Sequence, residues 1–183
     1  MSGMTRRMRD RLRSWWAGRS RDPASRAGQR PSYGGAMTVP IDEVPGRLGP
    51  SATTEADPRA VGTVRTEYSP AHDGDPDPGE VVWTWVPYEE NDGRGKDRPV
   101  LVVAREPGGS LLAVQLSSKD HDGDRDWVPI GVGPWDRSGR PSWVAVDRVL
   151  RVHDGGMRRE ACALDRMRFN LVVHRLRERY GWR

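Results

Sequence analysis

Between Gly79 and Val152 the sequence alternates short apolar runs with turns that are rich in glycine and proline. The first run, Val81–Val86, is apolar at successive positions, which is typical of a strand covered on both faces. Including this one, the apolar runs lie at residues 81–86, 99–104, 110–116, 127–132 and 142–152. Strands of this length and spacing predict a small barrel, and Pro129 marks the fourth as an edge strand.

The chain ends in a predicted helix. Its apolar residues recur at helical spacing and form one stripe, which comprises Phe169, Val172, Val173, Leu176 and Tyr180. Asp165 is placed to cap the helix, and residues 157–163 lead into it. Arginines at 175, 177 and 179 either complement the helix dipole or form a nucleic-acid surface. The predicted fold class is therefore mainly β with a C-terminal helix.

Residues 1–78 differ in composition from the rest of the chain. Residues 1–35 contain nine arginines and two aspartates, whereas residues 36–78 are acidic and rich in proline and glycine. Most of this segment lacks helical or strand periodicity, so it buries too little apolar surface to offset an entropy cost of about 1–2 kcal/mol per residue. We therefore predict a disordered extension over residues 1–78 and one globular domain over residues 79–183.

A short basic amphipathic helix is possible within this extension, over residues 4–17. Four apolar residues share one helical face among the arginines: Met4, Met8, Leu12 and Trp15. Such a helix would contact an anionic membrane, RNA or a protein partner. Two other interpretations stay open, namely a disordered arm or a true start of the chain at Met37.

Charge and cysteine content narrow the function classes. The net charge of +4 and the isoelectric point near 9.7 are compatible with a nucleic-acid partner. Cys162 is the single cysteine, which excludes an intramolecular disulfide and a cysteine-based metal cluster. We expect no cofactor and no metal. No apolar run approaches the roughly 20 residues of a membrane span, so we expect a cytoplasmic protein.

Several motifs follow one another along the predicted strands. Gly79-Glu80 opens the first strand, Arg98-Pro99 opens an aliphatic second strand, and Ser117-Ser118 ends the third. The fifth run reads SWVAVDRVLRV. In their order and spacing these motifs resemble the MazF/PemK family, the toxins of type II toxin–antitoxin systems. The resemblance covers residues 79–152 and, more loosely, the terminal helix.

This resemblance implies an SH3-like barrel of the MazF/PemK/CcdB kind and a metal-independent endoribonuclease that cleaves single-stranded RNA at short motifs. In that reaction the ribose 2′-hydroxyl attacks the adjacent phosphorus, giving a 2′,3′-cyclic phosphate and a 5′-hydroxyl. The resemblance also implies a homodimer with RNA in a groove at the interface. A cognate antitoxin would occupy that groove, and operator DNA would be bound only through the antitoxin complex.

Three residues are the candidates for catalysis. A guanidinium can bind two phosphate oxygens at once, so we assign Arg98 to stabilising the charge of the transition state. The resemblance places Ser117 where the family usually has a threonine, and it implies a hydrogen bond to the phosphate or the 2′-hydroxyl. His121 follows four residues later, and a histidine can carry the proton that an arginine cannot remove. The other interpretation of His121 is a surface histidine among acidic residues.

Further residues are expected to bind RNA. Lys119 would contact a phosphate, and aromatic side chains would stack on single-stranded bases. The expected RNA contacts are Lys96, Ser118, Lys119, Trp85 and Tyr88. Trp127 and Trp135 are two more possible stacking residues, although most of the tryptophans should be core.

Some points stay open at this level. Many family members carry a glutamate in the loop before the arginine, where this chain has residues near Gly93, and Glu89-Glu90 lies earlier in the loop. A non-catalytic SH3-like module and a toxin like CcdB that acts on DNA gyrase are the alternatives to a nuclease. A further hypothesis is self-inhibition, in which aspartates 73, 75 and 77 dock on Arg98.

Overall fold

A computed structural model of the chain describes residues 44–71 and 73–183. These residues belong to one compact unit, Thr38–Arg183. The strands are β1 (Thr54–Ala56), β2 (Glu80–Pro87), β3 (Gly95–Arg105), β4 (Leu111–Ser117), β5 (Trp127–Gly131), β6 (Ser142–Ala145), β7 (Val149–Val152) and β8 (Met157–Ala163). A 3-10 turn, Asp154–Gly156, precedes β8, and the helix α1 spans Arg166–Tyr180.

The strands form a curved antiparallel sheet in the order β1-β7-β4-β3-β2-β8. Beyond this path β6 pairs with β4, and β5 pairs with β6. The mainly β prediction with a C-terminal helix is confirmed. Among the described residues β5 pairs only with β6, so the edge position predicted from Pro129 is confirmed as well.

The strand boundaries differ from the prediction in three places. Pro99 lies inside β3 and not at its start, because β3 begins at Gly95 along its pairing with β2. The β3–β4 pairing begins only at Val100, so on that side Pro99 lies outside the ladder. The predicted fifth strand is divided into β6 and β7, and residues 157–163 form strand β8 along β2.

The sheet is buried on both faces. One face forms the larger core with α1, whose residues Phe169, Val172, Val173 and Leu176 are buried. The other face forms a smaller cluster around Val82, Val100 and Leu150. The predicted cap is present, since the Asp165 carboxylate accepts a hydrogen bond from the Arg168 backbone N–H at 3.0 Å.

The segment before β2 is part of the fold, so the predicted disorder is wrong for residues 44–71 and 73–78. β1 pairs with β7, and Ala56 and Val64 are buried. The backbone N–H of Arg183 donates to the Val64 carbonyl at 3.1 Å, and the Trp182 indole N–H donates to the Pro58 carbonyl at 2.9 Å. The residues that make these contacts are spaced irregularly along the chain, so they give no periodic pattern in the sequence.

The start of this segment packs against β2 and the turn before β8. The hydroxyl of Thr84 donates to the Gly156 carbonyl at 2.6 Å and accepts from the Thr53 hydroxyl at 2.6 Å. Gly46 adopts a positive φ of 81°, and a Cβ atom there would lie 2.3 Å from the Thr84 hydroxyl. The predictions for residues 1–43, including the helix over 4–17 and the start at Met37, lie outside the described residues.

Candidate functional site

Strands β3 and β4 bring the two main candidate residues together. In their antiparallel register Val100 pairs with Gln115, and two residues further along each strand lie Arg98 and Ser117. Since side chains alternate between the faces of a sheet, Arg98 and Ser117 occupy the same face as Gln115. Both residues also line one surface groove, and their predicted role in catalysis stays a prediction.

Arg98 lies between two surface grooves. One groove, of about 400 Å³, is called the basic groove and contains Ser117 as well. The other, of about 410 Å³, is called the Gln115 groove. Arg98 is half-buried, and within the described part of the chain its guanidinium makes no hydrogen bond or ion pair to protein. Its planar set of donors is therefore free to bind an anion.

Neighbouring arginines differ in this respect because each has an acidic partner. Arg148 pairs with Glu55 at 2.8 Å, Arg94 pairs with Asp92 at 2.6 Å, and Arg158 pairs with Asp97. The backbone N–H and then the guanidinium of Arg94 lower the pKa of Asp92, and Asp92 raises the pKa of Arg94. Both groups of that pair are charged at neutral pH, and the Arg94 guanidinium is engaged by the Asp92 carboxylate.

Ser117 ends β4 with its hydroxyl in a defined environment. The backbone N–H of Lys119 donates to Ser117 Oγ at 3.1 Å. The imidazole Nε2 of His121 lies 3.2 Å from the same oxygen. A serine hydroxyl can make three hydrogen bonds, because Oγ has two lone pairs and one proton. Lys119 and His121 use two of these, so one position is left for a further group in the groove.

His121 is held in place by aromatic side chains from two other strands. Its ring stacks on Trp127 of β5, with the ring centroids 3.6 Å apart and an interplanar angle of 12°. Trp143 of β6 meets the same imidazole edge-on at 6.3 Å. These contacts fix the ring orientation, and the Trp127 face that covers His121 cannot stack on a base.

The basic groove contains residues that the sequence did not indicate. The loop between β5 and β6 contributes Asp136, Arg137, Ser138 and Arg140, together with Trp135, which the sequence suggests only for stacking. Arg158 of β8 also lines it, where its guanidinium lies over the Trp83 ring at 5.8 Å. In the sequence this loop is one of the turns rich in glycine and proline, and the pairing of β6 with β4 that brings it to the site is between residues far apart in the chain.

The residues predicted to bind RNA fall into three groups. Lys96 and Ser118 line the basic groove beside Arg98 and Ser117. Tyr88 lines the Gln115 groove, with the Arg94 guanidinium over its ring at 6.0 Å. Trp85 and Lys119 line neither groove.

Three tryptophans have little room for a base. The Arg47 guanidinium covers the Trp85 ring at 4.9 Å, and His121 covers Trp127. Trp135 is only 4% exposed, so the suggested stacking of a base on this residue is wrong.

The loop before Arg98 places two glutamates near that arginine. Glu89 and Glu90 line the Gln115 groove together with Arg98, so this chain has carboxylates near the arginine in spite of the glycine at position 93.

Asp77 lies 3.5 Å from Arg105, whose guanidinium also donates to the Pro76 carbonyl at 2.9 Å. Arg105 is seven residues from Arg98 along β3, about 23 Å, so the hypothesis that Asp77 docks on Arg98 is wrong.

Residues 44–71 and 73–183 contain no group of three or more histidine, cysteine, aspartate or glutamate residues that could hold a metal ion. None of the helices in this part of the chain combines the length and the apolar character that crossing a bilayer requires.

Comparison with known proteins identifies the group to which this geometry belongs. A sequence model of the family described as "PemK-like, MazF-like toxin of type II toxin-antitoxin system" matches residues 77–179. No curated protein matches the chain.

Two solved structures are similar in fold. The Mycobacterium tuberculosis toxin MazF-mt6 is 15% identical with a TM-score of 0.39, and the match covers 56% of this chain and 98% of that one. The MazE-MazF structure from Deinococcus radiodurans is 21% identical with a TM-score of 0.40, and the match covers 58% and 92%.

Proposed function

The chain belongs to the PemK-like, MazF-like toxins of type II toxin–antitoxin systems, and on this premise we propose that it is a metal-independent endoribonuclease that cleaves single-stranded RNA at short sequence motifs. The observation that carries the proposal is the location of Arg98. Its unpaired guanidinium lines two grooves, one of which Ser117 lines as well.

The proposed reaction is an internal transesterification. The 2′-oxygen of one ribose attacks the adjacent phosphorus, the bond from phosphorus to the 5′-oxygen breaks, and the products are a 2′,3′-cyclic phosphate and a 5′-hydroxyl. Negative charge accumulates on the non-bridging oxygens in the transition state. Arg98 stabilises this charge with two parallel N–H donors and does not take part in the proton transfer.

Ser117 and His121 accept the proton of the attacking 2′-hydroxyl by two linked transfers. In the tautomer in which Nε2 accepts, the Ser117 hydroxyl donates to His121 across the 3.2 Å contact. The 2′-hydroxyl then passes its proton to Ser117 Oγ as Ser117 passes its own to His121. The imidazolium then releases this proton to solvent, and the departing 5′-oxygen takes up a proton from water, because it leaves on the opposite side of the phosphorus from the attacking 2′-oxygen.

Cationic side chains hold the RNA backbone. Lys96 lines the basic groove beside Arg98, and Arg158, which pairs with Asp97, lines it as well. Ser118 offers a hydroxyl to a phosphate there, and Lys119 reaches a neighbouring phosphate from the exposed loop after β4. Tyr88 stacks on a base in the Gln115 groove.

The proposal includes the partners that such toxins require. A cognate antitoxin covers the basic groove with an acidic segment, the toxin acts as a homodimer in the cytoplasm, and operator DNA is bound only by the toxin–antitoxin complex. Membership in a toxin–antitoxin family supports the antitoxin, and the unpaired charge of Arg98 supports an acidic segment as its binding element.

The test is cleavage of an RNA pool by the purified full-length chain in the presence of EDTA, with sequencing of the product ends. We expect cuts that leave cyclic phosphate and 5′-hydroxyl termini, and an Arg98→Ala variant should cut about 100- to 1000-fold more slowly. Arg59→Ala, an exposed arginine distant in sequence from the site, is the matched control and should cut normally. Undiminished cutting by Arg98→Ala contradicts the assignment, and no cutting by the wild type contradicts the function.

A further inference from the structure

Arg148 joins the segment before β2 to the loop that follows β2. It lies between β6 and β7 and is only 8% exposed. Its Nε–H donates to the Glu55 carboxylate at 2.8 Å, and its Nη1–H donates to the Pro87 carbonyl at 2.7 Å. Glu55 belongs to β1 and Pro87 ends β2, so one buried guanidinium bonds two strands that lie apart in the sheet order.

The loop after Pro87, called the β2–β3 loop, forms part of the Gln115 groove. It runs from Tyr88 to Arg94 and is closed by a hydrogen bond of 3.0 Å from the Tyr88 backbone N–H to the Arg94 carbonyl. Both of these residues line the groove, as do Arg98 and Arg148. Because Arg148 binds the carbonyl at which the loop begins, it fixes the base of the loop beside Arg98.

Other contacts of the segment before β2 hold the neighbouring residues of β2. The Thr53 hydroxyl contacts the Thr84 hydroxyl at 2.6 Å, and the Trp85 backbone N–H donates to the Pro45 carbonyl at 3.2 Å. Thr84 is the residue of β2 that pairs with Arg98 in the β2–β3 ladder. The contacting residues of the segment precede the part of the chain that matches the family model. They are therefore an addition to the matched domain that braces the strand beside Arg98.

The two ends of the ion pair differ in burial, and this difference gives the pair its importance. The Glu55 side chain is 57% exposed, and an ion pair between two such exposed groups would add little. Arg148, however, is buried, so water cannot replace its partners. Removing the Glu55 carboxylate leaves a buried charge without its acid, and removing the guanidinium takes a charged donor from the Pro87 carbonyl. Either change should loosen the β2–β3 loop.

We propose that Arg148 and Glu55 are positioning residues that hold the β2–β3 loop in its RNA-binding conformation. This inference rests on the proposed endoribonuclease function. A loop that is ordered before RNA arrives loses less conformational entropy on binding, so the affinity for RNA is higher. The chemical step depends on Arg98, Ser117 and His121, so loosening the loop should weaken RNA binding more than it slows the step.

Hydrogen exchange of the full-length chain without RNA measures the loop directly. Arg148→Met keeps the length of the side chain without its donors, and it should speed exchange of the loop amides about tenfold. Glu55→Ala should act in the same direction, whereas Glu55→Gln keeps an acceptor oxygen and should lie nearer to wild type. Arg151→Met is the matched control, because it breaks the pair of another β7 arginine with Glu106.

The outcome of the exchange experiment is decisive for the brace. Exchange of the loop that is unchanged in Glu55→Ala, or that is equally fast in Arg151→Met, overturns the inference. Glu55 is exposed, so Glu55→Ala tests the link even if Arg148→Met does not fold.

Cleavage kinetics test the consequence for RNA. Arg148→Met and Glu55→Ala should raise KM for one labelled RNA about tenfold and lower kcat by less than about threefold. Arg151→Met should leave both constants unchanged. A fall in kcat with no change in KM overturns the positioning role. If wild type does not cut RNA, the proposed function fails, and affinity for a mixed-sequence pool of single-stranded DNA replaces KM as the readout. Equal affinities of wild type and Glu55→Ala for this pool then overturn the inference.

Discussion

The Nε2 atom of His121 lies 3.2 Å from the Oγ atom of Ser117, so an imidazole contacts the hydroxyl that lines the same groove as Arg98. The two residues are four positions apart, but their contact depends on Trp127, which comes from another strand and holds the imidazole at 3.6 Å. A proton acceptor is therefore available to a site whose arginine cannot act as a base.

Replacing His121 should separate binding from turnover. We expect His121→Ala to cleave RNA at least about 100-fold more slowly, because the proton of the 2′-hydroxyl loses its acceptor. RNA affinity should stay the same, since the imidazole contacts Ser117 and the tryptophans. The rate should be measured against pH in both proteins, and a variant whose pH–rate profile matches that of wild type excludes His121 from proton transfer.

Two substitutions of Ser117 should separate the effect of its hydroxyl on the cleavage rate from the effect of its side-chain size. Ser117→Ala removes the group that contacts His121 and should slow cleavage by about 100-fold. Ser117→Thr keeps the hydroxyl and adds only a methyl group, so its rate should stay within a fewfold of wild type. Single-turnover cleavage of one labelled RNA by both variants measures this difference, and equal rates for alanine and threonine count against a role for the hydroxyl.

The ion pair between Glu106 and Arg151 should make stability depend on pH. Arg151 donates to both Glu106 carboxylate oxygens, at 2.6 and 2.8 Å, and with the Ser110 hydroxyl it lowers the pKa of Glu106 below the usual value of 4.5. Below pH 4.5 the unfolded chain therefore takes up a proton that the folded chain does not. The stabilisation should be complete above this pH and should decline as the pH falls towards the folded pKa.

Glu106→Gln should remove that dependence. At neutral pH we expect a loss of about 1.5–3 kcal/mol in the free energy of unfolding, and below pH 4.5 the difference from wild type should shrink. Urea unfolding of both proteins at several pH values measures this difference in unfolding free energy. Glu67→Gln, at an exposed position, is the control, and an equal loss at every pH rules out the proposed linkage.

The hydroxyl of Thr84 should contribute to the free energy of unfolding by binding the segment before β2 to the sheet. This fully buried hydroxyl lies between the Gly156 carbonyl and the Thr53 hydroxyl, each at 2.6 Å. Thr84→Val keeps the shape but leaves both partners without a hydrogen bond, so we expect a loss of about 2 kcal/mol or more in unfolding free energy. Thr63→Val at an exposed position should change it by less than about 0.5 kcal/mol. Equal stabilities of the two variants would exclude a contribution from this hydrogen-bonded group.

Patterns within one strand or helix were readable from the sequence. The apolar runs located the strands, and a run interrupted by Pro129 was correctly placed at an edge. Asp165 was identified as the cap of α1 from its position alone. These features depend on neighbours within a few residues, so the local order of residue types is enough to predict them.

Local residue patterns predicted the β-rich domain, its terminal helix and the two strands that carry Arg98 and Ser117. Which side chains surround these two residues depends on how the chain folds. The tertiary structure attached residues 44–71 and 73–78 to the barrel, brought Arg158 to the basic groove, and paired most nearby arginines with acids while Arg98 stayed unpaired within the described residues. The reason is physical: periodicity reports which face of an element is buried, whereas ion pairs, stacked rings and strand neighbours depend on residues far apart in the chain.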